Sequence, residues 1–149
     1  MSVSPERLTA QHFVDAGLVW FPPLARNAPA SRYTAFVNAF PDTPTNAIGF
    51  LNNGLNRPEG RLMDGRPVTH PGVQVRVRSS DMDDAYTMIK SIWDYAITVK
   101  RVGVTILTEE YRLDNLSVSG EPIYLGVGPD DQRPSYSFDL YVSYRKIGE

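Results

Sequence analysis

The sequence predicts an α+β domain: one antiparallel or mixed β-sheet packed by one long helix and an N-terminal helix. Two observations predict this class. Apolar residues recur at helical spacing between 82 and 96, and strict alternation of apolar and polar residues marks strands at 72–78 and 136–144. With 149 residues, 42% of them hydrophobic, the chain can build one core, so we expect residues 1–149 to form a single domain.

The first element is a short helix. Ser4 is suited to cap it, Pro5 fits the first helical position, and Glu6 adds an acid to the first turn. Apolar residues follow at spaced positions, and Gly17 marks the end.

Residues 22–71 contain eight of the twelve prolines, which excludes long helices and favours short strands joined by irregular segments. The best strand there is 47–51. The next stretch, 53–71, has three Gly, three Pro and three Arg without an apolar period, so we expect a long flexible loop. Residues 72–78 then alternate Val with Gln or Arg, as in a half-buried strand.

The main helix begins after Ser80, which we expect to be its cap. Three carboxylates follow, where the helix dipole favours them, and Lys100 and Arg101 suit its end. One apolar stripe should face the sheet; it comprises Met82, Ala85, Ile89, Ile92, Trp93 and Ala96. Three further strands are predicted, at 102–107 with a possible continuation past Glu109, at 123–127 and at 136–144.

The sequence has no motif for nucleotide binding, acyl transfer or metal hydrolysis, and it has no cysteine. His12 and His70 have no catalytic partner at motif spacing, and the acids at 81–84 fit helix capping better than a calcium loop. Asp130 and Asp131 lie in a predicted turn. We therefore expect no catalytic, cofactor or metal site, and no membrane span.

Charge is distributed unevenly along the chain. The net charge is −2, but residues 1–80 hold eight Arg and five acids, whereas 81–149 hold seven bases and twelve acids. Five of the arginines fall within about twenty-two residues; they are Arg57, Arg61, Arg66, Arg76 and Arg78. They suit either a phosphate-contacting surface or a solvated loop and strand face, and Arg76 and Arg78 suit pairing with acids of a neighbouring copy.

Two segments, 70–96 and 120–145, together resemble the bacteriophage minor capsid and tail terminator family of long-tailed phages. The first segment matches the family's pattern of a strand entering a helix through Val73, Val75, Arg76, Arg78, Ala85, Ile89 and Ile92. The second matches a late strand segment through Pro122, Leu125, Gly126, Asp131, Arg133 and Phe138. An N-terminal helix followed by the strand at 46–54 has the same order. The Pro-rich segment 22–44 departs from the pattern.

The resemblance implies a structural virion protein, assembled in the host cytoplasm, that forms a homohexameric ring. Such a ring ends polymerisation of the tail tube protein, joins the tail to the head connector or neck protein, and lets genomic DNA pass through its lumen without sequence-specific contact. No cofactor or enzymatic activity is implied. The candidates for subunit-interface or lumen positions are Arg57, Arg61, Arg66, Arg76, Arg78, Asp130 and Asp131.

Two other functions stay open at this stage. One is a different neck or head-tail joining component, and the other is a small nucleic-acid-binding module that uses the Arg-rich loop and strand. An enzyme would need a site assembled from acids and arginines without a recognisable motif.

Overall fold

The computed structural model describes residues 3–21, 33–41, 44–61, 67–126 and 133–147, with the backbone alone at 55–61 and 67–69. Two helices and seven strands lie within these ranges. In chain order they are α1 (Pro5–Asp15), β1 (Thr34–Val37), β2 (Ala47–Arg61), β3 (Pro67–Arg78), α2 (Met82–Ala96), β4 (Lys100–Ile106), β5 (Glu109–Val118), β6 (Ile123–Gly126) and β7 (Ser135–Lys146). Neither helix is long and apolar enough to cross a membrane within these ranges.

The seven strands form one mixed sheet in the order β1-β2-β3-β7-β5-β4, and β6 pairs with the first residues of β7. β1 and β2 run parallel, and all the other pairs are antiparallel. The predicted α+β class, with a mixed sheet and two helices packed on it, is confirmed. The C-terminal strand β7 lies in the middle of the sheet, between β3 and β5.

The sheet curls around α1. The helix contacts both edge strands of the sheet, β1 and β4. The predicted cap is present, since Ser4 Oγ accepts a hydrogen bond from the Arg7 amide at 3.2 Å. Leu8 and Phe13 are fully buried, and the Phe13 ring stacks on Phe50 with 5.7 Å between the ring centres. Burial of these large side chains fixes α1 inside the concave face of the sheet.

Helix α2 lies on the same face and packs against β3, β5 and β7 through four fully buried residues, Ala85, Ile89, Ile92 and Ala96. Its cap is Asp81 and not Ser80, because the Asp81 carboxylate accepts a hydrogen bond from the Asp84 amide at 3.2 Å. Lys100 and Arg101 do not close the helix, which ends at Ala96; they begin β4.

The stretch predicted as a long loop, 53–71, is largely strand. β2 continues to Arg61 and β3 begins at Pro67, with Arg57 opposite His70 and Pro58 opposite Thr69. Two register shifts in this ladder accommodate residues that break regular pairing. The sequence did not predict these parts of β2 and β3 because Gly and Pro interrupt the alternation of apolar and polar residues that identifies a strand.

The possible continuation past Glu109 is a separate strand. The chain turns at Leu107 and Thr108, and β5 pairs antiparallel with β4. Leu107 takes a left-handed backbone conformation with φ +57° to make this turn. The turn contains no Gly or Asn, which are the residues that usually identify a β-hairpin turn in a sequence, so the sequence did not predict this hairpin.

Candidate assembly surfaces

The backbone places the four predicted arginines that it describes in two separate parts of the β2–β3 ladder. Arg57 and Arg61 lie in the distal part of β2, whereas Arg76 and Arg78 lie in β3 within the sheet. His70 faces Arg57 across the ladder, and six residues of strand, roughly 20 Å at 3.3 Å per residue, separate His70 from Arg76. The other three candidates, Arg66, Asp130 and Asp131, lie outside the described residues.

Arg78 is buried within its own subunit, with 3% of its surface exposed. Its guanidinium donates hydrogen bonds to the carbonyl oxygens of Pro41 at 2.6 Å, Pro44 at 2.8 Å and Thr45 at 3.3 Å. It also lies 4.6 Å from the centre of the Phe40 ring. In this conformation Arg78 holds Pro41, Pro44 and Thr45 against β3 and is not a surface residue.

Arg76 is half-buried beside it, on the sheet face opposite to the helices. Its guanidinium lies 5.0 Å from the Phe40 ring centre, and its buried Nε has no hydrogen-bond partner. The cross-strand neighbours are Gly49 and Ser137. A Cβ at Gly49 would be 2.9 Å from Phe40 Cδ1, so glycine leaves the space that the ring occupies.

The distal halves of β2 and β3 form what we call the hairpin arm, residues 53–61 and 67–71. β3 pairs with β7 only from Gly72 onward, and β1 pairs with β2 only up to Phe50. In the backbone ladder the arm strands pair with each other and with no third strand among the described residues, and the Asn53 side chain donates a hydrogen bond to Asp139 of β7 at 2.9 Å. Five residues of β3, 67–71, at 3.3 Å each give the arm a length of roughly 17 Å, because the two register shifts absorb the extra residues of β2.

At the opposite end of the sheet is an apolar surface that we call the α2–β6 patch. It consists of Met82, Tyr86 and Tyr124, each 46–49% exposed. Ile123 lies beside it on the opposite face of the sheet, because it pairs with Ser137. Tyr136, half-buried, joins the two sides of the patch, with ring-centre distances of 5.5 Å to Tyr86 and 5.1 Å to Tyr124. Apolar side chains concentrated in this way on a surface are typical of a contact site.

Sequence reasoning placed Met82 on the buried stripe of α2, which is wrong: 49% of its surface is exposed. Met82 is the first residue of the helix, ahead of the turn where Ala85 reaches the sheet. Trp93, also assigned to that stripe, is only partly buried, and its indole Nε1 donates to the Gly120 carbonyl at 2.8 Å. The spacing of Met82, Tyr86 and Trp93 along one side of α2 was the available signal for this second apolar stripe.

Acidic side chains border the patch. Asp81 and Asp83 lie at the start of α2 and Glu121 precedes β6; all three are exposed. Asp83 and Glu121 have no ion pair within the described part of the chain. The basic residue on this side of α2, Lys90, is paired with Asp94 at 3.5 Å. The border of the patch is therefore net negative.

The buried His12 belongs to the core and not to a site. Its Nε2 lies 3.2 Å from the Tyr95 hydroxyl, and the two rings stack with centres 5.6 Å apart. Burial lowers the pKa of His12, partly offset by the nearby carboxylate of Asp15. The neutral imidazole can then accept the hydrogen bond that the Tyr95 hydroxyl donates.

Where the structure describes the chain, no group of three or more His, Asp or Glu side chains is placed to hold a metal ion. Its distinctive features are the hairpin arm and the acid-bordered apolar patch. An exposed apolar patch with charge around it is typical of a surface that contacts another macromolecule.

A comparison with protein families supplies the identity of the chain. The model of a family described as bacteriophage tail terminator protein matches residues 14–145. The matched region holds α2, the hairpin arm and almost the whole sheet, and it includes the segment 22–44 that departs from the pattern noted above. No curated protein matches the chain. The chain therefore belongs to the bacteriophage tail terminator protein family and is a structural component of the phage tail.

Proposed function

We propose that the protein forms a homohexameric ring at the end of the tail tube, where it ends polymerisation of the tube protein and joins the tail to the head connector or neck protein. The family match over residues 14–145 is the observation on which this proposal depends. In this proposal genomic DNA passes through the lumen without sequence-specific contact, and assembly takes place in the host cytoplasm.

The distribution of surfaces supports a ring. A ring of identical subunits joined head to tail needs two different, complementary surfaces on each subunit. The hairpin arm and the α2–β6 patch differ in chemistry and lie at opposite ends of β3. The arm contains the first residues of β3, Pro67 to Pro71, whereas the patch lies beside Tyr136, which pairs with Val77 near the other end of β3.

A nucleic-acid-binding module using the Arg-rich segment receives less support. Such a module needs its guanidinium groups exposed together along one face to contact phosphates. Arg78 instead donates to three carbonyl oxygens of its own chain, and Arg76 stacks beside it on Phe40. Both are distant from Arg57 and Arg61 on the hairpin arm.

The test is infection with a phage that lacks a functional copy of this protein. We expect electron micrographs of the lysate to show headless tail tubes of variable and excessive length, with complete virions restored when the wild-type protein is supplied from a plasmid. Tails of normal length attached to heads in the absence of the protein would refute the proposal. Normal-length tails without attached heads would assign the protein to head joining and refute its role in tube termination.

The solution mass provides an independent test of the ring. Light scattering over a wide concentration range should give six times the 16.7 kDa of one chain, with monomer at dilution. A chain that stays monomeric when mixed with tubes of its own tail protein would refute the hexamer.

A further inference from the structure

We propose that the C-terminal end of α2 on one copy docks on the α2–β6 patch, at the N-terminal end of α2, on the next copy, so that this contact joins neighbouring subunits. The inference rests on the ring proposed above and identifies the two surfaces that meet. It goes beyond the family match, which gives no contact between subunits.

The first surface is the basic end of α2, which we define as Ile97, Lys100 and Arg101. All three residues are exposed, and Ile97 has 46% of its surface in contact with water. Within the described part of the chain, neither the Lys100 ammonium group nor the Arg101 guanidinium has an ion pair or a hydrogen bond. An apolar side chain beside two unpaired cations is suited to a partner that has an apolar centre and an acidic border.

The backbone beside the basic end is open to another molecule. β4 begins at Lys100 and ends the order of strands in the sheet, with no strand on its outer edge among the described residues. Gly103 is exposed in this strand; its φ is outside the left-handed region, and a Cβ there would meet no atom within 4 Å. Neither packing nor backbone conformation within the subunit therefore requires glycine. A glycine inside a strand often marks the close approach of another backbone.

The second surface is the α2–β6 patch, whose chemistry complements the basic end. Met82, Tyr86 and Tyr124 form its apolar centre on the face of the sheet that bears the helices. Its border contains Asp83 and Glu121, which are exposed and lack ion pairs in the described structure. The tyrosine rings can also hold a cation over their faces. The patch is therefore suited to an apolar side chain that is flanked by basic residues.

The two surfaces cannot meet within one copy. α2 has 15 residues, which at 1.5 Å each separate its ends by roughly 22 Å. Its buried residues hold the helix against the sheet, so neither end can move to the other. The basic end can therefore reach a patch only on another copy. Two different surfaces that meet in this way make a head-to-tail contact, as a ring requires.

The test reverses the charge of each surface in turn. The end variant has Lys100→Glu and Arg101→Asp, and the patch variant has Asp83→Lys and Glu121→Lys. All four residues are exposed, aspartate tolerates the left-handed backbone at position 101, where φ is +53°, and the patch variant keeps the helix cap Asp81. Both variants should therefore fold, which circular dichroism and thermal unfolding check.

We expect each variant alone to fall to the single-chain mass of 16.7 kDa in light scattering, because its two surfaces then have charge of the same sign. An equimolar mixture should recover the wild-type mass of six chains. Each surface of one variant is then opposite in charge to its counterpart on the other, so the two chains can alternate around a ring of six. The control, Glu110→Lys with Arg145→Glu, reverses two exposed charges that belong to neither surface and should keep the wild-type mass.

Other results overturn the inference. If the wild-type protein forms rings and either variant does so alone, the contact is wrong although the proposed function stands. If both variants are monomeric and their mixture stays at the single-chain mass, the two surfaces do not meet. If the control also loses the ring, assembly depends on overall charge and not on this contact. If the wild-type chain forms no ring with or without tail tubes, the proposed hexamer and the contact fail together.

Discussion

Replacement of Arg78 by alanine should destabilise the fold more than any other single change on the outer face of the sheet. The side chain is 3% exposed and donates to three carbonyl oxygens, those of Pro41, Pro44 and Thr45. Alanine removes all three hydrogen bonds together with the stacking on Phe40. Pro41, Pro44 and Thr45 then lose these contacts with β3.

The magnitude follows from these contacts. Pro41, Pro44 and Thr45 are exposed, so water can reach their carbonyl groups once the guanidinium has gone. Each lost hydrogen bond should then cost about 1 kcal/mol, near the typical net value. The stacking on Phe40 adds about 0.5 kcal/mol, and removal of the buried charge recovers some desolvation energy. We expect a loss of about 3 kcal/mol in the free energy of unfolding.

The assay is urea unfolding followed by the fluorescence of the two tryptophans, with thermal unfolding as a second measurement. For a chain of this size, about 3 kcal/mol corresponds to a fall in Tm of about 6–12 °C. Arg76→Ala is the matched control, because Arg76 stacks on the same ring but its Nε makes no hydrogen bond. It should cost about 1 kcal/mol or less. Equal losses for the two variants would refute the role assigned to the carbonyl contacts.

Three further predictions concern the core and the turns. Because burial lowers the pKa of His12 below its unfolded value, the unfolded chain binds more protons, and the urea midpoint should fall as the pH drops from 7 through 6. His12→Gln should remove this slope, and an unchanged slope in His12→Gln would refute the assignment. Leu107→Gly should stabilise by about 1 kcal/mol by relieving the left-handed backbone at φ +57°, and a lower Tm would count against it. Gly49→Ala should destabilise by about 1–3 kcal/mol in urea unfolding because the new methyl group meets Phe40 at 2.9 Å, and a neutral result would show that the ring moves freely.

The elements that sequence predicted well are those whose local pattern agrees with their tertiary surroundings. Alternation at 72–78 and 136–144 corresponds to β3 and β7, since each buries one face against the helices. Helix α2 was predicted from its spacing. Its cap was placed one residue early because Ser80 and Asp81 are both good capping residues, and only the backbone geometry distinguishes them.

The features that the sequence did not predict depend on contacts between residues that are far apart in the chain. The arm strands are interrupted by Gly and Pro, and only the ladder between β2 and β3 identifies them. Arg78 has the pattern of a solvent-facing residue, yet the carbonyl groups of Pro41 and Pro44 cover its guanidinium. The α2–β6 patch joins residues more than thirty positions apart, which no local pattern links.

The central position of β7 governs the order in which the protein can fold. β7 is the last strand along the described part of the chain, yet it lies between β3 and β5 and joins the two halves of the sheet. On the ribosome, β1–β3 and the β4–β5 hairpin are complete before the strand that links them has been made, and α1 has to wait for both sheet edges before it is fully enclosed. Such late, long-range closure slows folding. Until β7 has been synthesised, the edges of β3 and β5 are open and have to stay unpaired with other chains. Subunits can therefore assemble only after synthesis of each chain has passed residue 146.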